Sequence, residues 1–201
     1  LDDPNMEFDS LYIDQKAYWE DPTNDKRIIA SMYDLLNESD LVIAHNGDKF
    51  DLKKILTRGA IHGLTPPRMP RKIDTLKVAR REMSFDSNRL DELGKFLEVG
   101  RKMPHMGFEM WLQCMEGDEK AWDMMLKYNI QDIHLLEAVY KKLRHYDTKH
   151  PNVGQYYRDG KSRCTVCGSA AVKPTGGELH TNASIFRAAE CQSCGHQLRL
   201  A

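Results

Sequence analysis

No apolar run in this 201-residue sequence approaches the roughly 20 residues that a membrane-spanning helix needs. Nor does it open on the basic and apolar pattern of a signal peptide. Internal repeats and low-complexity tracts are absent, which excludes solenoid and fibrous architectures. Charge of one sign is also lacking. The formal charge is −1, so any affinity for nucleic acid has to come from local basic patches. Cysteine is scarce before the C-terminal quarter. Cys114 stands alone, and the other four form Cys164-x-x-Cys167 and Cys191-x-x-Cys194. That spacing suits a metal site in a reducing compartment and excludes a disulfide framework. Hydrophobic residues at 41% and charged residues at 29% indicate a soluble globular chain, long enough for one substantial domain and a small second unit.

The periodicities predict an α/β domain. Met6–Asp14 has strand-like content, and Ile29, Met32, Tyr33 and Leu36 are spaced for a helix over 26–37. Leu41–Ala44 is a short apolar strand, followed by a helix over about 49–59 with Leu52, Ile55 and Leu56 inward. Three prolines mark Ile61–Lys72 as a loop. Helices then follow on "DTLKVARREM", on "NRLDELGKFLEV" (capped by Asp86 or Ser87), on "FEMWLQCMEG" and on a long final segment, with a break near Gly117. In the last helix Ile133, Leu136, Tyr140 and Leu143 form the expected buried stripe. Cys114, near Trp111 and Met115, reads as core, and His45 as a packed strand-end residue. The expected domains are 1–146, a linker over 147–160 and a cysteine module over 161–201.

Two carboxylates stand out. Asp51 follows Phe50 where the apolar strand gives way to a helix, and Asp132 lies four residues after Tyr128, on the same helical face. Taken singly, Asp51 balances a helix dipole and the Tyr128/Asp132 pair is a surface hydrogen bond. Taken together at element ends, they border the crevice where α/β sheets hold ligands. Asn46-x-x-x-Phe50-Asp51 resembles the second exonuclease motif of family-B DNA polymerase proofreading domains. Tyr128-x-x-x-Asp132 resembles the third motif of tyrosine-type DEDD 3′–5′ exonucleases, in the same order and at a separation that fits that superfamily.

The resemblance, over roughly Leu41–Leu143, implies a ribonuclease H-like fold and hydrolysis of phosphodiesters at single-stranded DNA or RNA ends. Two Mg²⁺ or Mn²⁺ ions would serve the reaction, as hard oxygen donors suit them. Asp132 would bind metal directly, and Asp51 directly or through water. Tyr128 would stay protonated and orient the attacking water, while Asn46 and Phe50 would touch the terminal nucleotide or brace the strand. A DNA polymerase or other replication protein would be a partner, in the cytoplasm of a bacterium or phage-infected host. The resemblance also suggests proofreading.

The family's first motif, Asp-x-Glu, does not occur before Asn46. Either the chain, which opens on Leu1 and offers only two early strands, continues upstream, or the metal site is a remnant in a nucleic-acid or polymerase binding module. The first is favoured, so the N-terminal strands are expected to be missing and the 201 residues alone to be catalytically incomplete.

In the cysteine module the stretch from Gly168 to Glu190 separates the two Cys-x-x-Cys pairs, the signature of a zinc ribbon. Four thiolates from Cys164, Cys167, Cys191 and Cys194 fill a tetrahedral Zn²⁺ and leave no position open for catalysis. Lys161, Arg163, Lys173, Arg187 and Arg199 make this module basic, which suits nucleic acid, a partner protein or a solvated surface equally. Asp74 in "KIDTLKVA" is expected to cap a helix, and Arg68, Arg71, Lys72, Arg80, Arg81, Arg101 and Lys102 to be solvated or to track phosphates.

Overall fold

The computed structural model describes residues 21, 23–103 and 107–200. The strand-like Met6–Asp14 lies outside them. The chain divides into two compact units, Leu1–Lys142 and Leu143–Ala201.

In the first unit, helix α1 (Lys26–Glu38) leads to strand β1 (Leu41–Ala44), helix α2 (Asp51–Ile61) and strand β2 (Arg71–Asp74). The two strands pair in parallel, with Leu41 opposite Arg71 and Ala44 opposite Asp74. Parallel strands need a crossover, and α2 supplies it. Ile29, Tyr33, Leu36 and Leu52 are buried together, with Val42, Ile55, Leu56 and Leu64 against them. The α1–α2 contact is close. A Cβ on Gly59 would lie 1.7 Å from the Tyr33 hydroxyl, so only glycine fits under that ring.

Strand β2 stands where the sequence predicts the end of a loop and the start of a helix. The loop ends at Pro70, and Arg71–Asp74 is extended before α3 (Thr75–Glu82) begins. With Ile73 its one apolar residue, the segment carries almost no alternation of its own, and pairing with β1 makes it a strand. Helix α4 (Leu90–Phe96) follows Arg89, whose side chain makes no cap; Ser87 Oγ only accepts from the Arg89 N–H at 3.4 Å. The expected Asp86 or Ser87 cap is therefore displaced. Helices α5 (Phe108–Met115) and α6 (Glu119–Leu143) flank Gly117, whose φ of +86° makes the turn between them. Cys114 is core, buried with Met110 and Ala121, although Trp111 and Met115 beside it are exposed.

On α6 the expected stripe holds at Tyr140 and Leu143 but not at Ile133. Leu135, Val139, Tyr140 and Leu143 are inside, while Ile133 is 43% exposed. The i, i+3, i+7 series admits two adjacent faces, and contact with α4 selects between them. A Cβ on Gly94 would sit 2.7 Å from Leu135 Cδ1 and 2.6 Å from the Gly100 carbonyl.

Asp25, just before α1, accepts from Arg58 Nε at 2.8 Å and lies 2.5 Å from His62 Nε2. The Arg58 guanidinium is the main cause that holds its carboxyl down at about 2. A depressed Asp contributes stability above its unfolded value of about 3.9 and loses it as pH falls through the folded one. Solvent screens this pair, because the Asp25 side chain is 36% exposed. Asp25→Asn is expected to cost a small amount of stability at pH 6 and less at pH 2, measured as denaturant midpoints at the two pH values.

In the second unit a single turn of 3₁₀-helix (Val153–Tyr156) precedes an antiparallel sheet in the order β3 (Val172–His180), β4 (Ile185–Cys191), β5 (Gln197–Leu200). Cys164, Val166, Ala189, Cys191 and Leu198 form its small core. Residues 153–159 contact this body. The Val153 N–H donates to the Thr165 carbonyl at 2.8 Å, and Arg163 stacks 4.0 Å from the Tyr157 ring centroid. No helix among the described residues is long and apolar enough to cross a membrane.

Candidate functional site

Strand β1 ends in a turn whose geometry explains the Asn46–Asp51 spacing. Asn46 adopts φ +67°, a left-handed conformation that asparagine tolerates better than most residues. Its carbonyl accepts from the Lys49 and Phe50 N–H groups, and the Gly47 carbonyl from Leu52. A Cβ on Gly47 would lie 2.4 Å from the Ala44 Cβ, so the turn needs glycine there. Phe50 then precedes α2 with 66% of its surface exposed, and Asp51 is the exposed first residue of that helix.

A buried polar clamp holds this turn against β2. Asp74 Oδ1 accepts from the Asn46 N–H at 2.8 Å and from the Leu76 N–H at 3.1 Å, the cap expected for α3. Thr75 Oγ1 donates to the Ala44 carbonyl and lies 2.9 Å from His45 Nδ1, while His45 Nε2 is 3.1 Å from the Asn88 carbonyl. Burial pushes the imidazole below the ordinary histidine value, against the pull of the Asp74 charge. Asn46 thus braces the strand through its own amide, one of the two roles expected of it.

If Asp74 Oδ1 is the working atom, Asp74→Asn keeps an acceptor in place and should leave the fold near wild type. Asp74→Ala should lose both bonds and cost about 1–3 kcal/mol. Comparing the two variants' denaturation midpoints checks this.

On α6, Tyr128 and Asp132 share a face as expected, and the structure adds a third group. Lys102 Nζ is paired with Asp132 Oδ2 and lies 3.1 Å from the Tyr128 hydroxyl. Burial opposes its charge, but Asp132 and Tyr128 outweigh that and raise its pKa. Its backbone N–H donates to Asp91 Oδ1 at 2.8 Å, which anchors the segment to α4. The other carboxylate oxygen, Asp132 Oδ1, is buried with no hydrogen-bond partner among the described residues, as is Asp74 Oδ2.

The parallel strands joined by a helix, with carboxylates at the strand end and on the long closing helix, agree with the family comparison. A family model described as the RNase_H superfamily matches residues 7–144. The chain belongs to the RNase H superfamily. Among curated proteins nothing matches it.

For an RNase H superfamily member, the test of the site is whether its donors fit a divalent cation. They do in chemistry: Asp132 Oδ1 is a hard, buried oxygen that lacks a partner, and Lys102 shows that the neighbouring oxygen accepts a cation. Asp51 is exposed at the start of α2. The sequence places Lys102 among solvated or phosphate-tracking charges, and the structure corrects this. Nothing local in the sequence signals its role, because its partners lie 26 and 30 residues away. Other members of that basic set are also paired internally. Lys72 holds Asp48, which also pairs with Lys77 from outside the set, and Arg68 donates to the Asn37 and Ser39 carbonyls.

The second candidate site is the cysteine cluster. The sulfurs of Cys164, Cys167, Cys191 and Cys194 all lie within 4.8 Å of one another. Cys164–Cys194 is 3.7 Å and Cys167–Cys191 is 3.5 Å. A tetrahedron with metal–sulfur bonds of about 2.3 Å has edges of about 3.8 Å, so the donors fit one ion of zinc size. The two knuckles repeat one pattern. The Gly168 N–H donates to the Cys164 carbonyl at 2.9 Å and the Gly195 N–H to the Cys191 carbonyl at 2.8 Å, each glycine at positive φ. Burial opposes ionisation of Cys191, but the Ser193 and Cys194 N–H groups outweigh it and set the thiol at about 7.

Proposed function

We propose that this RNase H superfamily chain is a metal-dependent 3′–5′ exonuclease that hydrolyses phosphodiester bonds at single-stranded nucleic-acid ends. The observation that carries the reading is the buried, unpartnered Asp132 oxygen, on a carboxylate that Lys102 links to the Tyr128 hydroxyl. Asp51 and Asp132 would hold Mg²⁺ or Mn²⁺, which when bound would acidify water and stabilise charge at the phosphate. Tyr128 would orient the attacking water through its hydroxyl. Lys102 would give up Asp132 to the cation and turn its ammonium toward the phosphate. Exposed Phe50 offers an apolar face to a terminal base. Zn²⁺ in the four-cysteine site would be structural, its coordination filled by protein.

The absence of Asp-x-Glu before Asn46 favours a second reading, a nucleic-acid binding module that does not cut. One assay separates them. A 5′-labelled single strand with Mg²⁺ should yield a ladder of 3′-shortened products from the full-length protein, and a closed single-stranded circle should stay intact. Binding without a ladder selects the second reading, and a cut circle means endonuclease chemistry.

A further inference from the structure

We infer that the cleft on the cysteine unit's sheet is a second binding site, which holds single-stranded nucleic acid by stacking and phosphate contacts. The cleft has a volume of about 650 Å³. Leu179 and Phe186 give it an apolar lining, and Gln197 and Arg199 add hydrogen-bond donors and a positive charge. No Asp or Glu is among its lining residues; Glu178, next to it in the chain, pairs with His180 at 3.5 Å. Leu179 and Phe186 are cross-strand partners, so the ring rests on a neighbour from β3.

The guanidinium of Arg199 lies over the Phe186 ring, 4.9 Å from its centroid. A cation held flat on an aromatic ring keeps its outer face open to a base and its edge donors open to phosphate. Charge selects the same occupant. Leu143–Ala201 carries eight Lys or Arg against four Asp or Glu, whereas Leu1–Lys142 carries 21 against 26. A four-thiolate zinc site adds −2 to the second unit and still leaves it positive. The acidic balance of the first unit makes the second the better place to hold a polyanion.

This inference rests on the nuclease reading for the class of polymer, and on the cleft alone for where it binds. A strand held here would stay with the protein between successive cleavage events.

The test is fluorescence anisotropy of a labelled oligothymidylate of about 20 nucleotides with the zinc-loaded chain, without Mg²⁺, at several salt concentrations. Phe186→Leu keeps the apolar lining and removes the ring that positions the Arg199 guanidinium for stacking; it should weaken binding about 5- to 150-fold with zinc content unchanged. Arg199→Gln should lower the dependence of log Kd on log salt by about 0.7. Asp132→Ala should bind as the parent does, so loss of cleavage and loss of this site are read separately. The proposal is overturned if the parent does not bind, if both zinc-loaded variants bind as the parent does, or if duplex binds as tightly as the single strand. Should Phe186→Leu lose its zinc, Arg199→Gln decides alone.

Discussion

Asp132→Ala is expected to remove nearly all metal-dependent cleavage of a single strand by the full-length protein, about a thousandfold or more. The size follows from the ligand's role. A cation at the scissile phosphate contributes several kcal/mol to the transition state, and every ~1.4 kcal/mol is a factor of ten in rate. The substitution should not damage the fold. Asp132 is only partly buried, its one hydrogen-bonded oxygen faces Lys102, and α6 is anchored by the buried Leu135, Val139 and Tyr140 further along the helix. Removing the carboxylate leaves Lys102 one-third exposed, so water can take over its solvation. Tyr128→Phe should be milder, up to about a hundredfold, because misplacing the water leaves the metals in place. The measurements are single-turnover cleavage with Mg²⁺, and Mn²⁺ binding by calorimetry. Wild-type cleavage by Asp132→Ala would mean that the carboxylate serves the Lys102 pair alone, and the exonuclease reading would fall with it.

Loss of the cysteine-bound metal is expected to unfold the second unit and leave the first folded. The buried core of the second unit is five residues, two of them the ligands Cys164 and Cys191. A core that small cannot hold three strands without another source of free energy. Structural zinc supplies about 10–16 kcal/mol in small domains, and that binding energy is folding energy. The first unit has clusters of its own, around Tyr33 and around Cys114. Elemental analysis should find one zinc per chain. Cys191→Ser, or prolonged chelation, should abolish the strand signature of the second unit in amide exchange while protection of α6 around Val139 persists. Retention of strand protection after chelation would show that β3–β5 fold without metal.

Much of the site was legible in the residues, because its signals are local. Tyr128 and Asp132 share a face by the helical period alone, and a Cys-x-x-Cys pair followed by glycine dictates its knuckle whatever surrounds it. Leu41–Ala44 is apolar throughout and flanked by breakers, so it announced itself as a strand; Cys114 announced itself as core. Asp74 was readable as a cap because capping involves residues close in the chain. What tertiary structure alone decided is long-range. Arg71–Asp74 became a strand through β1, on the far side of the whole α2 crossover, against its weak alternation. Ile133 was left outside because α4 brings Gly94 against Leu135, a choice between two faces that the helical period permits equally. Lys102 became the partner of Asp132, and Asp74 the acceptor for Asn46, because the fold returns the chain to one strand end. The free energy of a buried charge depends on what lies within a few ångströms of it in space, and that no spacing along the chain encodes.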